Sequence, residues 1–426
     1  MEMREKATQN EGRGGTPAAS RATFLFIIIT VALDFLAFGI IAPVLPNLIV
    51  QFEGGNMARA SQVTGYFAFA WAAMQFLFSP LLGAWSDRFG RRPIILISCL
   101  GLGLDYIVMA LAPTLRWLFL GRIISGITTS NVSTAFAYIA DVTTPAERAK
   151  KYGLLGAAFG LGFVIGPAVG GLLGHYSLRA PFWAAAGLSL VNFLYGIFVL
   201  PESLPVEKRA KSAWQMANPL GSLALLRSNS VLSGLSVVAT LYYLAHQALP
   251  SVFVLYTEYR YGWNERTVGL VLGMIGICIA SVSGGLVGPY VKKFGERWSL
   301  ASGLFFGTLG FAGFAAASQS WALLAAIPFI ALWGVSGPSM QSLMSQMVDP
   351  SSQGKLQGAI NSLRALTGMA GPLLFTQVFS EAIAPKARFY LPGAPYFLGA
   401  ILLAGSLLLT VVVTRGLAVR KTEQPA

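Results

Sequence analysis

The sequence predicts an all-α polytopic membrane protein, twelve transmembrane helices arranged as two pseudo-symmetric six-helix bundles. Three observations predict it. Of 426 residues, 55% are hydrophobic and only 11% charged, and the mean hydropathy is +0.63, a balance too apolar for a water-soluble globule. The charges gather in short clusters between apolar runs of about 20 residues, the length that crosses a hydrocarbon core roughly 30 Å thick. The chain also repeats itself at a nearly fixed offset.

The apolar runs lie near residues 24–47, 61–85, 93–112, 117–140, 152–174, 181–200, 231–257, 267–290, 298–318, 321–345, 356–380 and 393–414. An even number of crossings puts both termini on one side. Of the 30 Lys and Arg, 21 fall in the tails and in the loops on their side, 7 lie on the opposite side, and Arg122 and Arg364 lie inside spans. The positive-inside rule then places both termini in the cytoplasm of a plasma membrane, a bacterial inner membrane by expectation. Basic residues spread over many short loops do not read as a nucleic-acid face. Residues 1–23 read as a cytoplasmic tail and not a signal peptide, 24–200 as the first bundle, 201–230 as a polar cytoplasmic linker, 231–414 as the second bundle and 415–426 as a tail. Cys99 and Cys278 lie in apolar runs and read as small hydrophobes.

The repeat is visible in particular residues. Gly83-x6-Gly90 recurs as Gly288-x6-Gly295, each with a basic residue and Phe before the second Gly. Gly166-Pro167 recurs as Gly371-Pro372 at the same 205-residue offset, and Leu45-Pro46 as Leu249-Pro250 at 204. Such duplication is expected of two bundles that rock about a central site.

Three features carry chemistry. Between spans two and three, Gly83, Asp87, Arg88, Gly90, Arg91 and Arg92 must reverse the chain, and their charges suit a cytoplasmic gate. In the fifth span, Gly162, Gly166 and Gly170 with Pro167 let another helix approach backbone to backbone, and Pro167 is expected to kink the span. Asp34 and Asp105 sit inside apolar spans, where an ionised Asp costs about 2.5–3.5 kcal/mol on insertion scales. Burial favours a protonated carboxyl and a nearby cation the ionised one, so an Asp in a gated cavity can take up a proton on one side and release it on the other. Both are expected to face a central cavity, with Arg122 as the cation that tunes them. The alternative is a structural Asp–Arg pair.

The Gly83–Pro93 loop resembles the signature loop of the major facilitator superfamily, and the Gly-Pro run of span five resembles the motif of its antiporters and drug exporters. With Leu33–Pro46, Met74-Gln75-Phe76, Leu104-Asp105-Tyr106, Gly121–Thr128 and Ala137–Asp141, the chain resembles the tetracycline-resistance branch of the drug:proton antiporters from Phe24 to Gly416. The resemblance implies a proton-coupled antiporter that exports a small amphipathic molecule by alternating access. It implies Asp34, Asp105 and Arg122 in proton coupling and Asp141 with the loop residues at the gate. Two departures stand out: where tetracycline pumps commonly carry a His in span eight and an acid in span nine, this chain has Ile279 and Gly307, and Arg364 replaces a small polar residue in span eleven.

Gln75, Asn131, His246, Gln247, Gln341 and Arg364 are the candidate substrate-binding residues, Arg364 for an anionic group and His246 as a group that titrates near neutrality. Alternatives are a facilitator that imports or passively moves another solute such as an organic anion, and a non-transporting receptor or scaffold. No nucleophile elbow, phosphate cradle or metal-ligand cluster is present, so no enzyme activity, metal or cofactor is expected. The expected partners are a small molecule, protons and the bilayer, with the monomer as the working unit.

Overall fold

The computed structural model describes residues 17–129, 131–210, 221–385, 387 and 390–415; side chains are described from residue 24, except at 131–132, 145–146, 149–150, 208, 221–222 and 350. Among these residues there are helices and no strands. The first half holds α1 (Pro17–Ile41), α2 (Leu45–Phe52), α3 (Met57–Phe89), α4 (Arg91–Leu111), α5 (Leu115–Thr128), α6 (Asn131–Val142), α7 (Pro145–Tyr176) and α8 (Ala180–Val199). The second holds α9 (Ser230–His246), α10 (Ala248–Tyr261), α11 (Glu265–Ser281), α12 (Val287–Ala316), α13 (Ser320–Leu332), α14 (Ser336–Ser345), α15 (Gln353–Ile383) and α16 (Ala394–Val413).

Nine described stretches are long and apolar enough to cross a membrane, and one of them, 265–316, is double. It turns back at Gly295, whose φ of +75° interrupts α12. Spans four and eleven complete the twelve: α5 and α6 are each too short alone, and α15 carries Gln353, Lys355, Gln357, Asn361 and Arg364. Spans one and seven are also broken, at the turn 42–44 and at Gln247. Pro43 lacks the amide that would continue α1.

Local sequence sets the ends. Asn56, Asn229 and Asn264 accept the first free amides of α3, α9 and α11, donors that would otherwise be orphaned at a helix start. Gly90, with φ +108°, separates α3 from α4. Gly295 does the same 205 residues later, and positive φ at both sites is why glycine recurs there. The expected kink is not a break: α7 runs on through Pro167. Span eight, in contrast, contains a π-helical turn at Val282–Leu286 that periodicity did not reveal.

The halves differ inside. The second has one continuous apolar core, in which Tyr396 meets Tyr256 edge-on at 5.0 Å and Phe311 at 5.9 Å. The first has two cores: Phe26, Ile27, Val31, Cys99 and Tyr138 belong to one, and Ala37, Leu48, Tyr106, Leu118 and Phe182 to the other. Along spans one, four and six the residues between them are polar and buried, namely Asp34, Arg122, Ser125, Ser189 and Asn192.

Helix approach depends on glycine. A methyl at Gly166 would lie 2.6 Å from the Gly39 Cα of α1, and one at Gly162 2.6 Å from the Phe35 Cβ. Lipid supplies no hydrophobic drive between helices, so this packing holds α7 to α1. Gly166→Leu is expected to destabilise by about 1–3 kcal/mol, the scale of core overpacking, and to lower the melting temperature of the purified protein. Gly187→Leu, where an added Cβ meets nothing within 4 Å, is expected to leave it unchanged; equal melting temperatures for the two variants contradict the packing account.

Candidate transport cavity and buried charge layer

The two halves touch on one face and part on the other. On the closed face α7 packs on α11: a methyl at Gly269 would lie 2.8 Å from the Gly171 Cα, and one at Gly273 3.1 Å from the Val164 carbonyl oxygen. Across the pseudo-two-fold, α3 packs on α15, where Ser61 Oγ donates to the Thr376 carbonyl at 2.9 Å. Asn47 Nδ2 donates to Glu265 Oε1 at 3.0 Å, tying α2 to the start of α11. On the face that carries the Gly83–Pro93 loop, a methyl added at Gly153, Gly156, Gly284, Gly288 or Gly354 would meet nothing within 4 Å.

Between the halves lies a cavity of about 1850 Å³ that reaches from this open face to the seal. Trp71, Gln75 and Phe163 contribute from the first half, and His246, Gln247 and Arg364 from the second. Four expected binding residues, Gln75, His246, Gln247 and Arg364, are therefore brought together around one cavity. Gly371 leaves the space that Gln247 fills at the break between α9 and α10. The π turn places Ser283 and Gly284 on the wall, in keeping with the frequent use of such turns at functional sites.

Gln341 is a correction: its amide donates to Gln357 Oε1 at 3.1 Å, and it is not among the wall residues. The bond ties α14 to α15. The Asn131 side chain lies outside the described residues. Where an acid was expected from the resemblance, Gly307 packs so tightly that a methyl would lie 2.7 Å from the Trp333 ring, leaving no room for a carboxyl. Ile279 lines the cavity.

The carboxylates require a second correction. Asp34 and Asp105, expected on the cavity wall, are 7% and 0% exposed and are not among its lining residues. Asp105 Oδ2 accepts from Arg122 at 3.1 Å, and Asp34 Oδ1 accepts from Asn192 at 3.0 Å. Each partner offers in the dry interior what water would offer in the cavity, so the side chains turn inward. Gly121 is part of the arrangement, since a methyl there would sit 2.5 Å from Asp105 Oδ1. Arg122 joins layer and cavity: it is 5% exposed and forms part of the wall.

At the Gly83–Pro93 loop, Arg91 is the hub. Its guanidinium donates to Asp141 and Ser86, both at 3.1 Å, and to Asp87. Arg92 donates to the Ile197 carbonyl at 2.6 Å. Asp87 and Arg88 are exposed, and Arg88 lies over Phe89. These bonds stay within the first half. In the second half the residue 205 positions after Arg91 is Glu296, which accepts from Ser342 at 3.3 Å and Gln346 at 3.4 Å. The repeat has kept the hub and exchanged its sign.

Residues 27–372 match the profile of the Major Facilitator Superfamily. The chain belongs to the major facilitator superfamily. Among its relatives is the class C tetracycline resistance protein of Escherichia coli, 38% identical over 363 residues, which are 85% of this chain and 91% of the relative. The class B protein of Escherichia coli is 33% identical over 91% of this chain and 96% of that one. Among solved structures, the human organic anion transporter MFSD10 superposes with a TM-score of 0.66 at 25% identity, covering 93% of this chain and all of that one. A bacterial homolog of the human lysosomal transporter Spinster superposes at 0.76 and 16% identity, covering 94% and 98%, a likeness of fold alone.

Two features of this facilitator were missed in the sequence. Glu202 accepts from the amides of Arg91 at 2.8 Å and Arg92 at 3.3 Å, capping α4 from beyond the sixth span. Its neighbour Ser203 donates to Asp141 at 3.1 Å. Their signal was the Pro201-Glu202-Ser203 run in the linker. Asn192, the Asp34 partner, was hidden among apolar residues. Removing the cap by Glu202→Ala is expected to cost about 1–2 kcal/mol and to speed amide hydrogen exchange at residues 90–95. Exchange unchanged from the parent protein contradicts this role.

Proposed function

We propose that this facilitator is a proton-coupled antiporter that exports a small amphipathic organic molecule by alternating access. The observation that carries the reading is the buried Asp105–Arg122 pair, whose cation also forms part of the cavity wall. Such a pair has two arrangements: carboxylate and guanidinium held together, or a protonated carboxyl with Arg122 released toward the cavity. Binding a proton at Asp105 would thus change both the packing of α4 on α5 and the charge of the wall. A two-state element that two ligands bias is what coupling requires.

The Lys and Arg asymmetry supports cytoplasmic termini, so the open mouth would face the cytoplasm and the Asn47–Glu265 face the outside, in a bacterial inner membrane by analogy with the Escherichia coli relatives. Asp34, held by Asn192, would be a second proton site, and Gly83, Asp87, Arg88, Gly90, Arg91, Arg92 and Asp141 the cytoplasmic gate. The Gly162, Gly166, Pro167 and Gly170 face would be the pivot, and Gln75, His246, Gln247 and Arg364 would meet substrate. The monomer encloses the whole cavity and needs no cofactor in this reading. Tetracycline, the drug for which the Escherichia coli relatives are named, is the first compound to test. A second reading, import or uniport of an organic anion, is favoured by Arg364 and by the likeness to the human organic anion transporter.

In inverted membrane vesicles, tetracycline and a panel of dyes are expected to accumulate when respiration acidifies the lumen, and to stop when the proton gradient is collapsed. Accumulation that continues undiminished eliminates antiport. Asp105→Asn is expected to insert normally and to lose at least about tenfold of uphill transport, about 1.4 kcal/mol of coupling. Retained uphill transport in that variant defeats the role given to Asp105.

A further inference from the structure

We infer that the substrate is an amphipathic aromatic anion whose acid group is bound by Arg364. The inference deepens the transport reading and rests on it only for the direction of movement. Among the described residues that line the cavity there are three permanent cations, Arg122, Lys355 and Arg364, and no Asp or Glu. Arg122 is neutralised by Asp105 behind it. Arg364 faces open space, and no carboxylate among the described residues lies within ion-pairing distance of it.

What holds the guanidinium is aromatic. Its carbon stands 4.9 Å from the centre of the Tyr243 ring, and Tyr243 leads through Tyr242 to Trp333 and His246 with ring centres 5.1–5.4 Å apart. A cation over a ring keeps its in-plane N–H donors free, and that fork matches a carboxylate or sulfonate bidentately. His246 and Gln247 supply further polar groups on the same wall. Across the cavity, Phe38 lies 5.6 Å from Trp71 and 5.9 Å from Phe163, a surface suited to a flat ring. Low-dielectric walls focus the uncompensated positive charge into the cavity, which attracts anions and repels organic cations.

The charge of the cargo has an electrical consequence. Outward movement of an anion and inward movement of a proton both carry positive charge inward, so the cycle would respond to membrane potential. Exchange of a monovalent cation for one proton would not.

The test uses the full chain in lipid nanodiscs, with equilibrium binding of fluorescein, naphthalene-2-sulfonate and cinnamate as anions and rhodamine 123 as a cationic counterpart. At least one anion is expected to bind, with affinity falling tenfold or more in Arg364→Gln and less in Arg364→Lys, which keeps the charge but loses the planar fork. Rhodamine 123 bound as tightly as the anions, anion binding untouched in Arg364→Gln in a variant that melts as the parent does, or no binding of any of the three anions overturns the inference. In inverted vesicles the bound anion should accumulate, and valinomycin with potassium, which clamps the potential, should slow it. Binding intact but transport indifferent to the proton gradient rejects antiport and leaves the anion site standing.

Discussion

Everything in this molecule hangs on the close approach that glycine permits at α7. One face of the helix, through Gly162 and Gly166, lies on α1 of its own half; another, through Gly171 and Val164, lies on α11 of the other half. Beside these close approaches Phe35 and Phe38 of α1 meet Phe159 and Phe163 of α7 with ring centres 4.4–5.9 Å apart; no hydrophobic force drives the contact, because the surrounding lipid is as apolar as the protein. It holds where backbones touch, on the sealed face, and is absent where the halves spread. The same helix thus belongs to a rigid bundle and to a seam that can open.

Within that frame the halves divide the work. The first buries its ionisable groups in a layer between two apolar cores, Asp105 bonded to Arg122 and Asp34 to Asn192, since a charge in a dry interior needs a partner. The second has an unbroken core and presents its charge to the cavity instead, Arg364 over Tyr243 with His246 near Trp333. Arg122 spans the two regimes. In the proposed cycle a charge change behind the wall would be felt in the cavity through that side chain, and the cavity's occupant would act back on it.

Much of this was legible in the chain. Apolar length and loop charge marked the crossings, and the repeated Gly90 and Gly295 marked where two helices must reverse with positive φ. Which way a buried carboxylate turns was not legible, because it depends on partners distant in sequence: Arg122 for Asp105, Asn192 for Asp34. Glu202 was opaque for the same reason, capping a helix 110 residues earlier in the chain. Gln341 looked available, but its amide donates to Gln357, one span away. Periodicity reports which residues share a helix face; it does not report what that face meets.

The most direct test of the rocking account is a pair of spin-label distances measured by electron resonance in liposomes, Gly153 to Gly288 across the mouth and Ser177 to Asn264 across the seal. The account predicts that a pH step in the presence of transported anion lengthens the Ser177–Asn264 distance as the Gly153–Gly288 distance shortens. Two distances that stay fixed under every condition, or lengthen together, contradict it.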